Sequence, residues 1–259
     1  MVNLKNYNDV LKLFVIFLTF FLSVSCGKQN YSVSKIEGKQ IAITDKEKQD
    51  AQIENFIKPY REHINSDLDG ILAYCPETLD KSSGKWQTTI GNLMADVTLQ
   101  RGNIIFMARE KKNIDLCILN HGGIRSILPK GNVTTRTAYE IMPFENSLVV
   151  IALKGEQIFE LVDYFIATQK PHPLSGITFT IGKDNVAKNI LVQGKPVEKD
   201  TIYYVATNDY LSNGGDNMNF FKKGTQKYDL DYKLRNILID YFKEVDTVTA
   251  KNDVRVSVE

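Results

Sequence analysis

The chain has 259 residues, and the roughly 230 that follow an apolar N-terminal run are enough for one substantial hydrophobic core or two small ones. The 32 lysines and arginines nearly balance the 31 aspartates and glutamates, and a formal net charge of +1 gives no electrostatic basis for a nucleic-acid polymer as partner. Three cysteines are too few for a disulfide framework.

The start of the chain has the pattern of a secretory signal peptide. Lysines precede an apolar run, LFVIFLTFFLSVS (13–25), which is too short to span a bilayer comfortably. Cys26 follows Ser25, as in a bacterial lipobox, although Ser23 stands where an aliphatic residue is usual. We therefore predict a signal peptide over 1–25 and lipidation of Cys26. An ordinary signal peptide with an incidental cysteine is the alternative.

The residues after Cys26 indicate a lipid-anchored protein of the bacterial cell envelope. Residues 27–40 mix serine, lysine, glutamine and glycine, which indicates a tether, and we assign 41–259 to one folded domain. The sequence GKQN (27–30) has no acidic run after the cysteine. We therefore expect the anchor to hold the protein on the membrane with the domain facing the periplasm.

Helices and strands interleave along the first part of the domain, and strands cluster in the second part. In chain order, the sequence predicts a helix over 45–66, a strand over 69–75, a helix ending near 108, a strand over 113–120, a short helix with a capping box from Thr137 to Glu140, a strand over 147–155, a helix with apolar residues at 158, 161, 162 and 165, strands in GITFTIG, KNILVQGKPV and TIYYVATND, and a helix over 230–244. This order indicates the α+β class.

Strand-to-loop junctions carry the residues that are best suited to binding. VATNDYLSNGGD (205–216) is an apolar strand followed by an aromatic residue, paired glycines and a carboxylate. NHGGIRS (120–126) ends a buried strand with an amide, two glycines and an arginine, and MPFENSL (142–148) presents an aromatic residue after a proline. Glycines let a backbone approach a ligand closely, and loops at strand ends often form sites. On the residues alone, 205–216 suits a phosphate site, a metal site, a sugar site or a plain turn.

The cysteines and histidines do not form a metal-binding pattern. Cys75 and Cys117 lie in the apolar runs ILAYC and IDLCIL, and we expect buried free thiols, with a disulfide as the alternative in an exported protein. His63, His121 and His172 show no HxxxH, DxH or similar spacing, so we predict no metal site in this chain. The sequence also lacks a GxSxG nucleophile elbow and a Walker loop.

In order and spacing, these segments resemble the 5′-nucleotidase C-terminal domain family. NHGGIR resembles the family pattern N-G-G-I-R, MPFEN with the strand and helix after it resembles P-F-x-N, and TNDYLSNGGD resembles N-(F/Y)-x-x-x-G-G-D. IGNLMADV (90–97) and DYKLRNILIDYF resemble the G-N-L-x-A-D helix and the C-terminal helix of the family. The resemblance covers about residues 35–245 and implies an α+β fold of mixed sheets with flanking helices.

The resemblance implies a site for a nucleoside or nucleotide. Phe144 and Tyr210 would sandwich the base, a contact worth about 1–3 kcal/mol per base that tolerates different bases. Asp216 would accept hydrogen bonds from the ribose hydroxyls. Gly214 and Gly215 would make the bend that points Tyr210 and Asp216 at one nucleoside.

The other two segments would supply polar contacts. Asn120 would bind the edge of the base, and Arg125 of the same loop would contact the ribose or the phosphate. Gly122 would let that loop approach the ligand. Asn146 would bind the base or fix its own loop.

Two features depart from the family pattern. No segment resembles the D-x-H, G-N-H-E or G-H-x-H motifs of the family's metallophosphatase half, so we expect no cofactor in this chain and divalent metals only on a partner. The stretch SSGKWQTT also lacks the arginines that the family often carries before G-N-L. Lys85 would replace their charge but not their planar fork. Trp86 is either an extra stacking surface or a packed loop residue.

The sequence therefore predicts the nucleoside-binding half of a split 5′-nucleotidase, in nucleotide catabolism. A separately encoded metallophosphatase chain would supply metal-activated water, while this chain, inactive alone, would hold the substrate in position. The alternative is a stand-alone nucleoside-binding lipoprotein without a catalytic role. A third interpretation is a fold whose pocket no longer binds.

Overall fold

The computed structural model describes residues 4–22, 32–44 and 46–259. Cys26, the predicted lipidation site, lies outside the described residues. The chain divides into two compact units, 1–51 and 52–259. In the first unit, helix α1 spans Leu4–Leu22, and residues 32–44 form neither helix nor strand. Within the described ranges, no helix has both the length and the apolarity needed to cross a membrane.

From the boundary of the second unit onward, helices and strands alternate, and the predicted α+β class is confirmed. The helices are α2 (Ala51–Asp69), α3 (Thr89–Glu110), α4 (Thr135–Ile141), α5 (Gly155–Thr168), α6 (Asp209–Ser212) and α7 (Leu234–Glu244). The strands are β1 (Ile71–Cys75), β2 (Leu116–Ile118), β3 (Gly131–Thr134), β4 (Ser147–Lys154), β5 (Leu174–Ser175), β6 (Ile177–Ile181), β7 (Ala187–Val192), β8 (Lys195–Pro196), β9 (Ile202–Asn208), β10 (Gln226–Lys233) and β11 (Val256–Val258). Short 3-10 turns span His121–Gly123, Gly215–Asn217 and Asn219–Lys223.

A five-stranded sheet in the order β10-β4-β9-β2-β5 forms the centre of the second unit. Strands β2 and β9 are parallel, and the other neighbours are antiparallel. Both faces of this sheet are covered. Leu148 and Val150 of β4 belong to the core on one face, and Val149 and Ile151 belong to the core on the other. This explains why β4 is a continuous apolar run rather than an alternating one.

Different layers cover the two faces. Helices α3 and α7 contribute Phe106 and Phe242 to the core on the first face. Helix α5 contributes Phe165 to the core on the second face, where it meets Phe179 of a four-stranded sheet in the order β11-β6-β7-β8. The central sheet is therefore the middle of three layers and is held rigidly from both sides.

The last helix begins later than the sequence pattern indicates. Residues 226–233 form β10, an edge strand that pairs with β4, so α7 begins at Leu234 rather than at 230. Tyr228 and Leu230 are buried, whereas the residues between and beside them are exposed. That alternation of period two is the signal of a half-buried strand. Leu230 also lies at helical spacing from Leu234, so the apolar pattern of α7 extends into the strand.

The capping box of α4 also differs from the prediction. Helix α4 follows Thr134, whose hydroxyl accepts a hydrogen bond from the N–H of Thr137 at 3.3 Å. The hydroxyl of Thr137 in turn accepts from the N–H of Thr134 at 3.2 Å. Thr137 is thus the third helical residue rather than the cap, and Glu140 lies too far along the helix to take part.

The two cysteines of this unit are buried free thiols, as predicted. Burial raises the pKa of the Cys75 thiol and of the Cys117 thiol. Because the thiolate is the reactive form, both side chains behave as small apolar core residues at neutral pH.

The C-terminal segment, residues 245–258, is tied to α3 by polar groups. Nδ2 of Asn92 donates a hydrogen bond to the carbonyl of Lys251 at 3.1 Å. The buried Arg255 pairs with Asp96 at 2.7 Å. Asn92 and Asp96 belong to the stretch IGNLMADV, so these two polar residues hold the end of the chain against the domain.

We expect Arg255→Met to lower the free energy of unfolding by about 2–4 kcal/mol. The change leaves the Asp96 carboxylate, only 25% exposed, without its cationic partner. Urea denaturation followed by circular dichroism measures the loss. The control Lys188→Met removes the exposed pair with Glu259 near the end of the chain and should cost less than about 1 kcal/mol. Equal losses in the two variants would contradict the structural importance of the Arg255 pair.

Candidate functional site

Two neighbouring strands bring two of the predicted segments to one edge of the central sheet. Because β2 and β9 are parallel neighbours, their carboxyl ends lie at the same edge. Strand β2 leads to Asn120 and the turn His121–Gly123, and β9 leads through α6 to the turn Gly215–Asn217. The strand order thus places NHGGIRS beside the loop of VATNDYLSNGGD.

The Asp216 carboxylate joins these two loops. Its Oδ2 accepts a hydrogen bond from Nδ2 of Asn120 at 2.7 Å, and its Oδ1 accepts one from the hydroxyl of Tyr210 at 2.9 Å. Asn120 is buried, whereas Asp216 and Tyr210 are exposed. A carboxylate has about four acceptor positions, so two protein donors leave room for hydroxyl donors from a ligand.

The paired glycines have different tasks in this loop. Gly214 has a φ of +88°, the left-handed conformation that glycine adopts without strain. A Cβ at Gly215 would lie 2.5 Å from the Tyr210 ring, so the ring rests directly on the backbone of this residue. Gly214 therefore makes the bend of the main chain, whereas Gly215 makes room for the aromatic ring.

The second aromatic residue, Phe144, lies beside Arg125, the charged residue of the loop 120–125. Its side chain is 41% exposed, and that of Tyr210 is 48% exposed. The guanidinium of Arg125 lies over the Phe144 ring, with its carbon 5.9 Å from the ring centroid, and donates a long hydrogen bond of 3.4 Å to the carbonyl of Gly122. The contacts thus form two groups that share the loop 120–125: Asn120 with Tyr210 and Asp216, and Arg125 with Gly122 and Phe144.

Helix α7 fixes the segment that carries Phe144. The buried Arg235 of this helix forms an ion pair with the carboxylate of Glu145. The N–H of Leu234 donates to the carbonyl of Asn146 at 3.0 Å. The backbone of Asn146 therefore fixes its loop. The contact of its side chain with a base stays a prediction.

Two residues outside the predicted set support the site loops. The hydroxyl of Tyr164, on α5, donates to the main-chain carbonyl of Asp216 at 2.8 Å. Nδ1 of His172 accepts a hydrogen bond from the N–H of His121 at 3.2 Å. No motif marks either position, because Tyr164 lies in an ordinary amphipathic helix and His172 between two prolines. Only the fold brings them to the site.

Lys81, rather than Lys85, contacts the site loop from the stretch before α3. Its Nζ donates to the carbonyl of Ile124 at 2.7 Å. Lys85 is exposed, and its Nζ lies 5.1 Å from the centre of the Trp86 ring. Trp86 is half-buried and stacks on Phe165 with ring centroids 6.1 Å apart. Of the two interpretations of Trp86, the structure therefore supports a packed loop residue.

The environment of His172 keeps its ring neutral. Burial lowers its pKa to about 4, the charges of His121 and Lys170 act in the same direction, and the Asp216 carboxylate opposes them. Because Nδ1 accepts the N–H of His121, the ring proton belongs on Nε2, which lies 3.4 Å from the hydroxyl of Thr168. The ring thus serves as a structural acceptor below the turn.

The candidate site is an open surface around two exposed aromatic rings. A cleft of about 820 Å³ lies elsewhere, lined by residues that include Asp96, Asp115 and Gln193, and none of the predicted binding residues lines it. In the part of the chain that the structure describes, no group of three or more histidine, cysteine, aspartate and glutamate residues is placed to hold a metal ion. The exposed rings and the carboxylate suit stacking and hydrogen bonding.

The model of the family described as 5′-nucleotidase, C-terminal domain, matches residues 73–223. This range covers more than half of the chain and contains every predicted binding residue. The chain belongs to the 5′-nucleotidase C-terminal domain family. Both site loops and the Phe144 segment therefore lie within the 5′-nucleotidase C-terminal domain itself.

Proteins similar to this domain are longer than this chain. The chain is 28% identical over 185 residues to the trifunctional nucleotide phosphoesterase protein YfkN of Bacillus subtilis, a match that covers 66% of this chain and 12% of that protein. It is 28% identical over 173 residues to a cell wall protein of Listeria monocytogenes, covering 61% of this chain and 21% of that one. The crystal structure of a 5′-nucleotidase precursor from Thermus thermophilus matches with a TM-score of 0.67 and 23% identity, over 79% of this chain and 42% of that chain. At that identity the match shows the shared fold.

We expect acid to destabilise the domain through His172. Its folded pKa of about 4 lies below the ordinary value of 6.5, so between these values the unfolded chain binds a proton that the folded chain does not. Lowering the pH from 7 to 5 should remove about 2 kcal/mol of unfolding free energy through this residue. His172→Asn keeps an acceptor and removes the titration, so it should lose less stability over this interval.

Denaturation midpoints at both pH values measure the effect. The control His63→Asn makes the same substitution at a histidine whose side chain is 78% exposed, so it measures the effect of a histidine-to-asparagine change outside the site. If His172→Asn and the wild type lose equal stability on acidification, another group dominates and the assignment to His172 is wrong.

Proposed function

We propose that this chain is the nucleoside- or nucleotide-binding half of a split 5′-nucleotidase, which positions a nucleoside 5′-phosphate for hydrolysis by a separate metallophosphatase chain. One observation carries the proposal: the Asp216 carboxylate is held beside the exposed Tyr210 ring in a 5′-nucleotidase C-terminal domain. The family binds nucleotide substrates and is normally fused to a metallophosphatase domain. The described residues offer no metal cluster of their own.

The base would stack on the exposed aromatic rings. One face of Tyr210 lies on Gly215, so a base would approach the other face. At Phe144, the base would take the place of the Arg125 guanidinium, whose contacts there are long. Arg125 would then turn to the ribose or the phosphate, where its planar fork suits two oxygen acceptors. Stacking without base-specific bonds would accept several bases.

The ribose would bind to Asp216. Its two carboxylate oxygens suit a vicinal diol, and hydrogen bonds to a charged acceptor contribute about 1.5–3 kcal/mol each. Asn120 already donates one amide hydrogen to Asp216, and this bond orients the Asn120 side chain. Its carbonyl oxygen and second hydrogen would read the edge of the base, while Gly122 keeps the loop close and Asn146 contributes from the Phe144 segment.

The phosphate would face the partner chain. Arg125 would contact it from this chain. Lys81 lies nearby, because its Nζ donates to the carbonyl of Ile124 in the same loop as Arg125. Metals held by the partner would supply activated water, which would displace the nucleoside 5′-oxygen from phosphorus and release nucleoside and inorganic phosphate. This chain would contribute orientation of the substrate and no cofactor.

We place the protein in the bacterial cell envelope, facing the periplasm. The proposed organisation is a signal peptide over 1–25, a lipid anchor on Cys26, a tether over 27–40 and the domain over 41–259. The N-terminal sequence pattern supports this organisation, and the similarity to a cell wall protein supports the envelope location alone.

We expect Tyr210→Ala and Phe144→Ala each to weaken adenosine binding by about 1–3 kcal/mol, because each removes a stacking face. Isothermal titration with the purified chain measures the affinity, and thermal melting verifies the fold. Tyr60→Ala is the matched control, since Tyr60 is a 62% exposed tyrosine on α2 outside the site. Unchanged affinity, or loss of the folded protein in either site variant, would show that the residue is not a stacking surface.

We expect the purified chain not to hydrolyse AMP in the presence of divalent metals, and a metallophosphatase chain to copurify with it from membrane extracts. Native mass spectrometry of the extract identifies the complex. A lone chain that binds free nucleosides tightly would favour the alternative, a stand-alone nucleoside-binding lipoprotein. Hydrolysis of AMP by the chain alone, with contaminants excluded, would overturn the site assignment.

A further inference from the structure

Helix α5 and the connection after it reach both loops of the candidate site. The hydroxyl of Tyr164 donates to the main-chain carbonyl of Asp216 at 2.8 Å. His172 accepts the N–H of His121 at 3.2 Å. The rings of Tyr164 and His172 are in contact, with centroids 5.6 Å apart. Tyr164 and His172 therefore form one packed pair that holds both the turn of Asp216 and the turn of His121.

This support acts on a turn of the main chain with two left-handed residues. Asp216 has a φ of +52°, and Asn217 after it has a φ of +63°. Residues other than glycine adopt this region less readily, although aspartate and asparagine tolerate it best, so contacts around the turn help to hold it. Because the side chain of Asp216 projects from this constrained backbone, the direction of its carboxylate depends on the same constraint.

Tyr164 is well placed to supply the constraint. Its ring packs against His172 and also against Phe220, with centroids 5.8 Å apart in the second contact. Burial and the Asp216 carboxylate raise the pKa of its hydroxyl to about 12, so the hydroxyl keeps its proton and remains a donor. The position of the donor is thus fixed by packing.

The other bonds to Asp216 come from residues that would themselves touch a ligand. The hydroxyl of Tyr210 donates a hydrogen bond to Oδ1 at 2.9 Å and accepts one from the N–H of Asp216 at 3.2 Å. Asn120 donates to Oδ2 at 2.7 Å. Tyr164 bonds only the main chain, so it holds Asp216 without occupying a carboxylate oxygen that a ligand needs.

We propose that Tyr164 is a positioning residue for ribose recognition. It acts through Asp216: by holding the carbonyl of that residue, it keeps both carboxylate oxygens directed at the 2′- and 3′-hydroxyls of a bound nucleoside. The proposal rests on the proposed function. If Tyr164 has this role, a residue of α5 that does not contact the sugar contributes to the preference for ribose over sugars that lack the diol.

Tyr164→Phe removes the hydroxyl and keeps the ring, so the packing against His172 is retained. We expect the dissociation constant for adenosine, measured by isothermal titration, to rise about 3–10-fold, as for the loss of one neutral hydrogen bond. The constant for 2′,3′-dideoxyadenosine should not change, because this ligand has no hydroxyls for Asp216. The matched control is Tyr232→Phe, which removes a tyrosine–aspartate bond of 2.6 Å to Asp240 and should alter neither constant.

A second measurement needs no ligand. In the free protein, the backbone amide resonances of Asp216 and Asn217 should shift in Tyr164→Phe and stay in place in Tyr232→Phe. Unchanged resonances in Tyr164→Phe would overturn the proposal, and so would an equal loss of affinity for both nucleosides. Absence of binding to the wild type would overturn the proposed function, and the amide resonances would then decide the positioning role alone.

Discussion

The hydrogen bond between Asn120 and Asp216 is the contact on which the candidate site depends, because it joins two loops that are 96 residues apart in the chain. It forms because β2 and β9 are parallel neighbours and release their loops at one edge. Asn120 is 8% exposed, so its amide would be costly to leave unpaired. The bond thus fixes the amide and the carboxylate together before any ligand arrives.

Rigid layers on both sides of the sheet make this arrangement possible. Helix α5 holds Asp216 through Tyr164, and helix α7 holds the Phe144 segment through the buried Arg235. The Asp216 loop and the Phe144 segment are therefore each attached to a helix of the core. Precise binding geometry generally requires this kind of second layer, since short loops do not define side-chain positions by themselves.

The sequence predicts those parts of the molecule that local patterns encode. The α+β class, the buried thiols and the strand-to-loop junctions follow from periodicity and from apolar runs. Leu230 of β10 stands at helical spacing from Leu234, so the apolar pattern of α7 extends into the strand and predicts helix there. The capping box of α4 begins at Thr134 rather than at Thr137 because both threonines are able to cap. Tyr164, His172, Arg235 and Lys81 reach the site only through long-range packing, which no single-sequence pattern records. The contact between Gly215 and the Tyr210 ring likewise depends on the tertiary structure, so the sequence indicates only a bend at this glycine.

The family pattern itself contains two kinds of residue, and the structure separates them. Asn92 and Asp96 hold the C-terminal segment, so the G-N-L-x-A-D resemblance concerns the fold. The loops at 120–125 and 210–216 and the Phe144 segment carry the exposed groups, and the rings of Tyr210 and Phe144 are both exposed. If the proposed function holds, that openness has a physical reason. A substrate enclosed by this chain would keep its phosphate away from metal-activated water on a second chain, whereas an open platform binds the nucleoside and leaves the phosphate accessible.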